Sequence, residues 1–117
     1  MDKEKVFSAI MEKWDGRKEQ LLLHYRNRDK VKVVQPMNEA IDDFITFLFI
    51  LNEKPFASPE NLNESMKELN YKPINLDERL LFILKKPHQY HSFIQLNELY
   101  TELLKLYAKK KILMQKK

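Results

Sequence analysis

The amino-acid sequence predicts an all-α fold, a single compact domain of five or six helices packed as an irregular bundle. The chain has one glycine among its 117 residues, although tight turns and β-hairpins depend on glycine. Hydrophobic residues make up 44% of the chain, which is enough for one core. Apolar side chains recur at the three- and four-residue spacing of helical faces. We therefore expect one helical domain over residues 1–117, with a basic, frayed segment from about residue 109 onward.

The first part of the chain predicts two short helices. The first helix has an apolar face formed by Val6, Phe7, Ile10, Met11 and Trp14. Asp15-Gly16 is a natural helix end, and a second helix is then predicted from Arg17 to about Arg28. A single long helix stays open as the alternative, because one glycine inside a helix costs only about 1 kcal/mol.

The third helix is predicted to lie at the centre of the domain. Residues 30–35 precede Pro36 and are interpreted as a connector with room for a short strand. Pro36 suits the first position of a helix. Ten of the fifteen residues from Met37 to Leu51 are apolar, and a helix that is apolar around most of its circumference is buried by its neighbours.

A fourth helix is predicted to begin at Ser58-Pro59-Glu60, where a capping residue precedes a proline and an acid. Its apolar stripe is narrow, so this helix should lie on the outside of the domain. The stripe consists of Leu62, Met66 and Leu69.

Two capping boxes predict the remaining helices. Asn75 and Glu78 have the required spacing and open a fifth helix that contains the apolar run 80–84. Ser92 and Gln95 form a complete capping box. They open the last helix, over residues 92–107, which should pack along the third.

The composition excludes several classes of site. The chain has no cysteine, which excludes disulfides, thiol catalysis and thiolate-bound metals. A single glycine cannot build a glycine-rich phosphate loop. No apolar stretch approaches the roughly 20 residues of a membrane-spanning helix, and the first residues lack the apolar core of a signal peptide. We expect a cytoplasmic protein without a cofactor.

Charge is distributed unevenly along the chain. Residues 17–35 carry six basic and two acidic side chains, residues 36–66 one basic and six acidic, and residues 105–117 six lysines and no acid. Basic clusters beside aromatic residues are typical of surfaces that contact phosphates, although a solvated helix end and tail explain the same pattern. The candidate contacts to nucleic acid or to an acidic partner are Arg26, Arg28, Lys30, Lys32, Lys109, Lys110 and Lys111. A nucleic-acid surface requires these charges to converge.

Metal binding and catalysis are not expected. Glu39, Asp42 and Asp43 suit a polar helix face, since no glutamate in the chain has a histidine three residues later, as helical di-iron sites require. His88 and His91 lack a recognisable third ligand or nucleophile. Tyr90 and His91 are interpreted as packing residues ahead of the Ser92 cap, and Phe7 and Trp14 as core residues rather than a partner-binding stripe.

Two segments carry a resemblance to a known family. The run from Lys72 to Leu80 reads KPINLDERL, and the run from Tyr90 to Leu96 reads YHSFIQL. Both resemble the YpoC-like proteins of Gram-positive bacteria. The resemblance implies a small helical bacterial cytoplasmic protein, and it supplies no catalytic or binding residues.

Two functional hypotheses follow from the sequence. The preferred one is a non-enzymatic module that binds another protein through a helical face, with a homodimer also open. The alternative is an accessory nucleic-acid-binding protein that uses residues 17–32 and the C-terminal lysines. A third hypothesis, an enzymatic function, would be revived only by a deep pocket around His88 and His91.

Overall fold

A computed structural model describes residues 2–55 and 59–115 of the chain. This part folds into five α-helices with one turn of 3-10 helix at Pro59–Asn61. The α-helices are α1 (Lys3–Arg26), α2 (Val34–Leu51), α3 (Leu62–Lys67), α4 (Leu76–Lys85) and α5 (Tyr90–Gln115). No strand occurs in the described residues, and the prediction of a single all-α domain is confirmed. The predicted cap at Ser58 lies outside the described residues.

The predicted helix break at Gly16 is wrong, and the open alternative of one long helix is confirmed. Asp2 caps α1, because its carboxylate accepts hydrogen bonds from the backbone N–H groups of Glu4 and Lys5. Gly16 lies inside the helix. Residues on both sides of it, including Trp14 and Leu21, are buried in the core, and burial of side chains of this size exceeds the cost of one helical glycine.

Helix α2 is the central helix, as predicted. It begins at Val34 rather than at Pro36, so Pro36 lies in the first turn, where a backbone N–H has no helical partner to lose. Nine of its residues are buried. On one side Phe47 stacks on Phe7 of α1 at a centroid distance of 4.4 Å. On the other, the backbone carbonyl of Ala40 accepts a 2.6 Å hydrogen bond from the hydroxyl of Tyr100 in α5.

The short helix α3 buries Leu62 and Met66 of the predicted apolar stripe, and Leu69, the third member, is buried just after the helix ends. The segment that follows it is joined to the end of α2 through Asn52. The side-chain amide of Asn52 donates to the carbonyl of Tyr71, and its oxygen accepts from the Tyr71 N–H, each at 2.8 Å. This pair of hydrogen bonds holds the α3–α4 connection against the central helix.

Neither predicted capping box forms. Asn75 precedes α4 with a left-handed backbone (φ 56°) and makes no side-chain cap hydrogen bond. Ser92 lies inside α5, fully buried, and its hydroxyl donates to the carbonyl of Lys86 at 2.6 Å. Gln95 instead accepts from the Arg79 Nε at 3.2 Å. At Ser92 and Gln95, contacts with α4 and with the turn before α5 replace the local hydrogen bonds that the spacing predicts.

Helix α5 starts at Tyr90 and continues to Gln115, so the structure differs from the expectation of a frayed segment beginning at about residue 109. Lys110 and Lys111 tie this last part of the helix to α2 and α1. None of the helices in residues 2–55 and 59–115 is long and apolar enough to span a membrane.

Candidate nucleic-acid interface

Helices α1 and α5 lie side by side in opposite directions, and this arrangement decides which basic residues meet. Near one end of the molecule, Lys111 of α5 pairs with Glu4 of α1 at 2.6 Å. Halfway along, the Trp14 ring stacks on Tyr100. At the other end, the Tyr25 hydroxyl donates to the carbonyl of Pro87, just before α5, at 2.8 Å.

The two predicted basic groups therefore lie at opposite ends of the molecule. Helix α1 has 24 residues, which corresponds to about 36 Å of helix. Residues 26–32 follow its C-terminal end, whereas residues 109–111 lie beside its N-terminal end. The nucleic-acid alternative requires both groups to converge on one surface, and in the described residues they do not meet this requirement.

Two other segments, each containing basic residues, lie side by side in the fold. The Tyr25–Pro87 hydrogen bond places residues 24–32 beside residues 85–91, and we call these two segments together the basic end. It adds Lys85 and Lys86, both exposed, to the four candidates between residues 26 and 32. Sequence reasoning missed the two lysines because their segment is 50 or more residues away along the chain. The available signal was a run, from Lys85 to His91, without any acid.

Most cations of the basic end have no carboxylate partner. Among the described residues, none of the acids forms an ion pair with Arg26, Arg28 or Lys30. Lys32 is the exception, since its ammonium lies 3.6 Å from the carboxylate of Asp29. The unpaired cations are therefore available to an anionic ligand.

Asp29 shapes the loop between α1 and α2. Its carboxylate accepts a 3.0 Å hydrogen bond from the backbone N–H of Lys32. This hydrogen bond, together with the nearby Lys32 charge, holds the pKa of Asp29 below its usual value. The carboxylate stays ionised at neutral pH and is occupied within its own loop.

An open cleft of about 390 Å³ lies in the basic end. Its floor is aromatic, with the Tyr90 ring edge-on to Tyr25 at 5.6 Å and stacked on Phe93 at 5.9 Å. Burial raises the pKa of the Tyr25 hydroxyl, which keeps it protonated and donating to Pro87. The residues that line the cleft are Tyr25, Arg28, Asp29, Lys30, His88, Gln89, Tyr90 and His91.

The two histidines of the cleft do not form a recognisable catalytic or metal site. Neither His88 nor His91 is hydrogen-bonded to a carboxylate in the described part of the chain, and the His91 ring packs edge-on to Phe82 at 5.4 Å. His24 is not among the residues that line the cleft. No group of three or more potential ligands could hold a metal ion within residues 2–55 and 59–115. The cleft is thus lined by basic and aromatic side chains.

The C-terminal lysines have structural partners instead. Lys110 is only 15% exposed, contacts the carbonyl of Leu51 and lies 5.0 Å from the Tyr71 ring centroid. The hydrogen bond from Lys111 to Glu4 raises the pKa of Lys111. Lys109 is exposed. Of the three candidates in this group, Lys109 alone has no partner in the described residues.

The remaining candidates are structural as well. Arg17 of α1 bridges to α2 by pairing with Asp43 at 2.7 Å and with Glu39 at 3.3 Å, so these acids form a partly solvated helix face, as predicted. Trp14 is 1% exposed, and its indole N–H donates to the side-chain oxygen of Asn97 at 3.2 Å. The prediction that Phe7 and Trp14 belong to the core is confirmed.

Comparisons with known proteins agree on one family. The family model described as YpoC-like protein matches residues 4–115. A Bacillus subtilis (strain 168) protein, described as uncharacterized protein YpoC, is 37% identical over 111 residues. The match covers 92% of this chain and 66% of that protein's length. No solved structure matches the chain significantly. With the family model covering nearly the whole chain, the protein belongs to the YpoC-like family.

Proposed function

We propose that this protein is a non-enzymatic binding module that holds the phosphate backbone of a nucleic acid at its basic end. The observation that carries the proposal is the meeting of two separate basic segments, residues 24–32 and 85–91, over an exposed aromatic floor. The preferred sequence hypothesis, a protein-binding module, becomes the second candidate.

The charge balance of the basic end supports a polyanionic ligand. Its arginine and lysine side chains are Arg26, Arg28, Lys30, Lys32, Lys85 and Lys86, and its acid is Asp29. Lysine and arginine that neutralise phosphates release condensed counterions, which supplies most of the affinity of sequence-independent binding. Cations without an internal carboxylate partner lose no ion pair when they contact a phosphate.

Fluorescence anisotropy with labelled DNA and RNA oligonucleotides tests this proposal. The basic-end variant replaces Arg26, Arg28, Lys85 and Lys86 with glutamine. Wild type should bind saturably, and the variant should lose about tenfold or more in affinity at low salt. For single strands, the slope of log affinity against log salt should become shallower by up to about 2.8, or 0.7 for each lost phosphate contact.

A matched control removes four charges elsewhere. Lys5, Lys13, Lys105 and Lys109 are exposed and have no carboxylate partner in the described residues. Their replacement by glutamine changes the net charge equally and should alter affinity by less than about threefold, because they lie outside the basic end. Equal losses in both variants would contradict a localised interface, and the absence of binding by wild type at low salt would refute the proposed function.

A second candidate function is protein docking at the opposite end, favoured by three consecutive exposed apolar residues. Ile112, Leu113 and Met114 are 54%, 48% and 57% exposed. They adjoin an apolar cleft of about 310 Å³ lined in part by Phe7 and Tyr107. Large exposed apolar surfaces are typical of interaction sites.

The partner that this surface fits is a second copy of the chain. The rim of the cleft carries both signs of charge, from Lys3 and Lys111 and from Glu4 and Glu53, and these side chains form ion pairs within the chain. A second copy related by a twofold axis can therefore cover the apolar surface while the rim charges stay paired. Sedimentation equilibrium should give a dimer, and serine at positions 112 and 113 should weaken it. Serine at Leu104, which is also exposed, is the control. A monomer at every concentration would refute this candidate.

A further inference from the structure

We propose that the basic end selects single-stranded nucleic acid by stacking one unpaired base on the exposed face of Tyr90. This inference rests on the proposed function, because the phosphates of the same strand must be held by the surrounding cations. It adds a specificity-determining residue and a preference between single and double strands.

The Tyr90 side chain is half exposed although two aromatic rings pack against it. Phe93 is 3% exposed and stacks on one face of the Tyr90 ring, with an interplanar angle of 23°. Tyr25 packs edge-on, at 66°. Tyr90 nevertheless remains 51% exposed. The exposed half of this side chain is available to a flat apolar partner.

This aromatic surface is held in place before any ligand arrives. Tyr25 cannot turn freely, since its hydroxyl is bonded to the carbonyl of Pro87 and its ring also contacts Phe93 at 5.7 Å. Tyr90 lies in the first turn of α5, and Ser92 anchors that turn to Lys86. A fixed ring loses little conformational entropy when a base stacks on it.

The cations are placed to hold the strand that carries the base. Arg28 and Lys30 line the same cleft as Tyr90, and neither has a carboxylate partner in the described residues. Phosphates beside a stacked base therefore meet positive charge without any rearrangement of ion pairs. This combination of stacking surface and basic groove is typical of proteins that bind single strands.

A duplex cannot bind in the same way, because its bases are already stacked and the cleft is small. In a duplex each base is already stacked between its neighbours, and its release costs a few kcal/mol. The cleft volume of about 390 Å³ lies at the lower end of the range for small-ligand pockets, about 300–1,000 Å³. It has room for a base and its sugar. A duplex could contact the cations, but its paired bases could not stack on the Tyr90 ring.

The test separates stacking from phosphate contacts with three labelled ligands of equal length. These are a thymidine 12-mer, a 12-mer of abasic sites with the same phosphates, and a 12-bp duplex. Wild type should bind the thymidine strand more tightly than the other two, by about 5- to 150-fold, which corresponds to the roughly 1–3 kcal/mol typical of one stacked base. Free thymidine monophosphate, as an unlabelled competitor, reports whether the cleft binds a mononucleotide.

Two variants of Tyr90 complete the experiment. Tyr90→Leu removes the ring and should abolish the preference for the thymidine strand without changing affinity for the abasic strand. Tyr90→Phe keeps the stacking face and should restore the preference to within about twofold of wild type. Since the side chain is half exposed, both variants should fold, and unchanged helical circular dichroism verifies this.

The outcomes distinguish the two proposals. In a first outcome, wild type binds the thymidine and abasic strands equally, while the basic-end variant loses affinity for both strands. This result would overturn the stacking inference and leave the proposed function standing. Effective competition by thymidine monophosphate at the affinity of the strand would also overturn it, since a mononucleotide would then be sufficient. No binding of any polymer would refute the proposed function itself.

Discussion

Tyr100 joins the three long helices at a single residue. It belongs to α5, its hydroxyl donates to Ala40 of α2 at 2.6 Å, and its ring stacks on Trp14 of α1 at 4.5 Å. Burial, with a further contribution from the charge of Asp43, raises the pKa of Tyr100 above the ordinary value of 10.0. The side chain is therefore neutral in the folded protein at pH values where it ionises in the unfolded chain.

This shift predicts a loss of stability in alkaline solution. Below pH 10 the contribution of Tyr100 is fully present. As the pH rises above 10, the unfolded chain releases the Tyr100 proton while the folded protein retains it, so the free energy of unfolding falls by up to about 1.4 kcal/mol per pH unit. The Tyr100→Phe substitution should lower the free energy of unfolding by about 1 kcal/mol at pH 7, because a hydrogen bond is lost. Above pH 10, the free energy of unfolding of this variant should fall less steeply than that of wild type.

Urea unfolding, followed by circular dichroism between pH 7 and 11, measures how the free energy of unfolding depends on pH in wild type and in Tyr100→Phe. Lysines and other tyrosines contribute equally to the two proteins, so the difference between the curves isolates Tyr100. Parallel curves above pH 10 would mean that the hydroxyl ionises normally in the folded state, contrary to its burial.

The hydrogen-bond partners of individual polar side chains were the least predictable feature of the chain. Ser92 and Gln95 have the spacing of a capping box, but their partners come from α4 and the turn before α5. Spacing rules describe only hydrogen bonds between near neighbours. A buried serine hydroxyl bonds whichever carbonyl the tertiary fold brings within reach, and no local pattern identifies that carbonyl.

At the scale of elements, the long helix α1 shows how packing overrides a local stop signal. Asp15-Gly16 predicts a helix end, and isolated peptides would favour one. The apolar face continues through the pair, because Trp14 and Leu21 both reach the core. The same periodicity that predicted each half was sufficient to predict the whole helix, and the weight given to glycine caused the error.

A continuous α1 predicts that Gly16→Ala stabilises the protein. Gly16 is helical, and an added Cβ would meet no atom within 4 Å, so the substitution should raise the free energy of unfolding by about 1 kcal/mol. Ala9, which is exposed in the same helix, provides the reverse control. The Ala9→Gly substitution should lower the free energy of unfolding by a similar amount. Urea denaturation checks both. Destabilisation by Gly16→Ala would indicate a break in α1 at this residue.

At the scale of the whole molecule, the sequence predicted the fold class and the central helix but not which surfaces meet. The apolar content of α2 is sufficient to place it at the centre. The meeting of Arg28 with His88 and Tyr90 in one cleft depends on the antiparallel arrangement of α1 and α5, which is a long-range property. The internal roles of Lys110 and Lys111 depend on Glu53 and Glu4 in the same way. Charge counts along the chain contain none of this information.

The most direct test of the proposed nucleic-acid interface is to map where an oligonucleotide contacts the folded protein. Titration of the ¹⁵N-labelled protein with the thymidine 12-mer, followed by amide chemical shifts, reports every segment at once. We expect the amide shift changes to concentrate in residues 24–32 and 85–91, with Arg28 and Tyr90 among the largest, and the amide shifts of residues 105–115 to remain unchanged. Shifts centred on residues 105–115, or spread evenly over the surface, would contradict it.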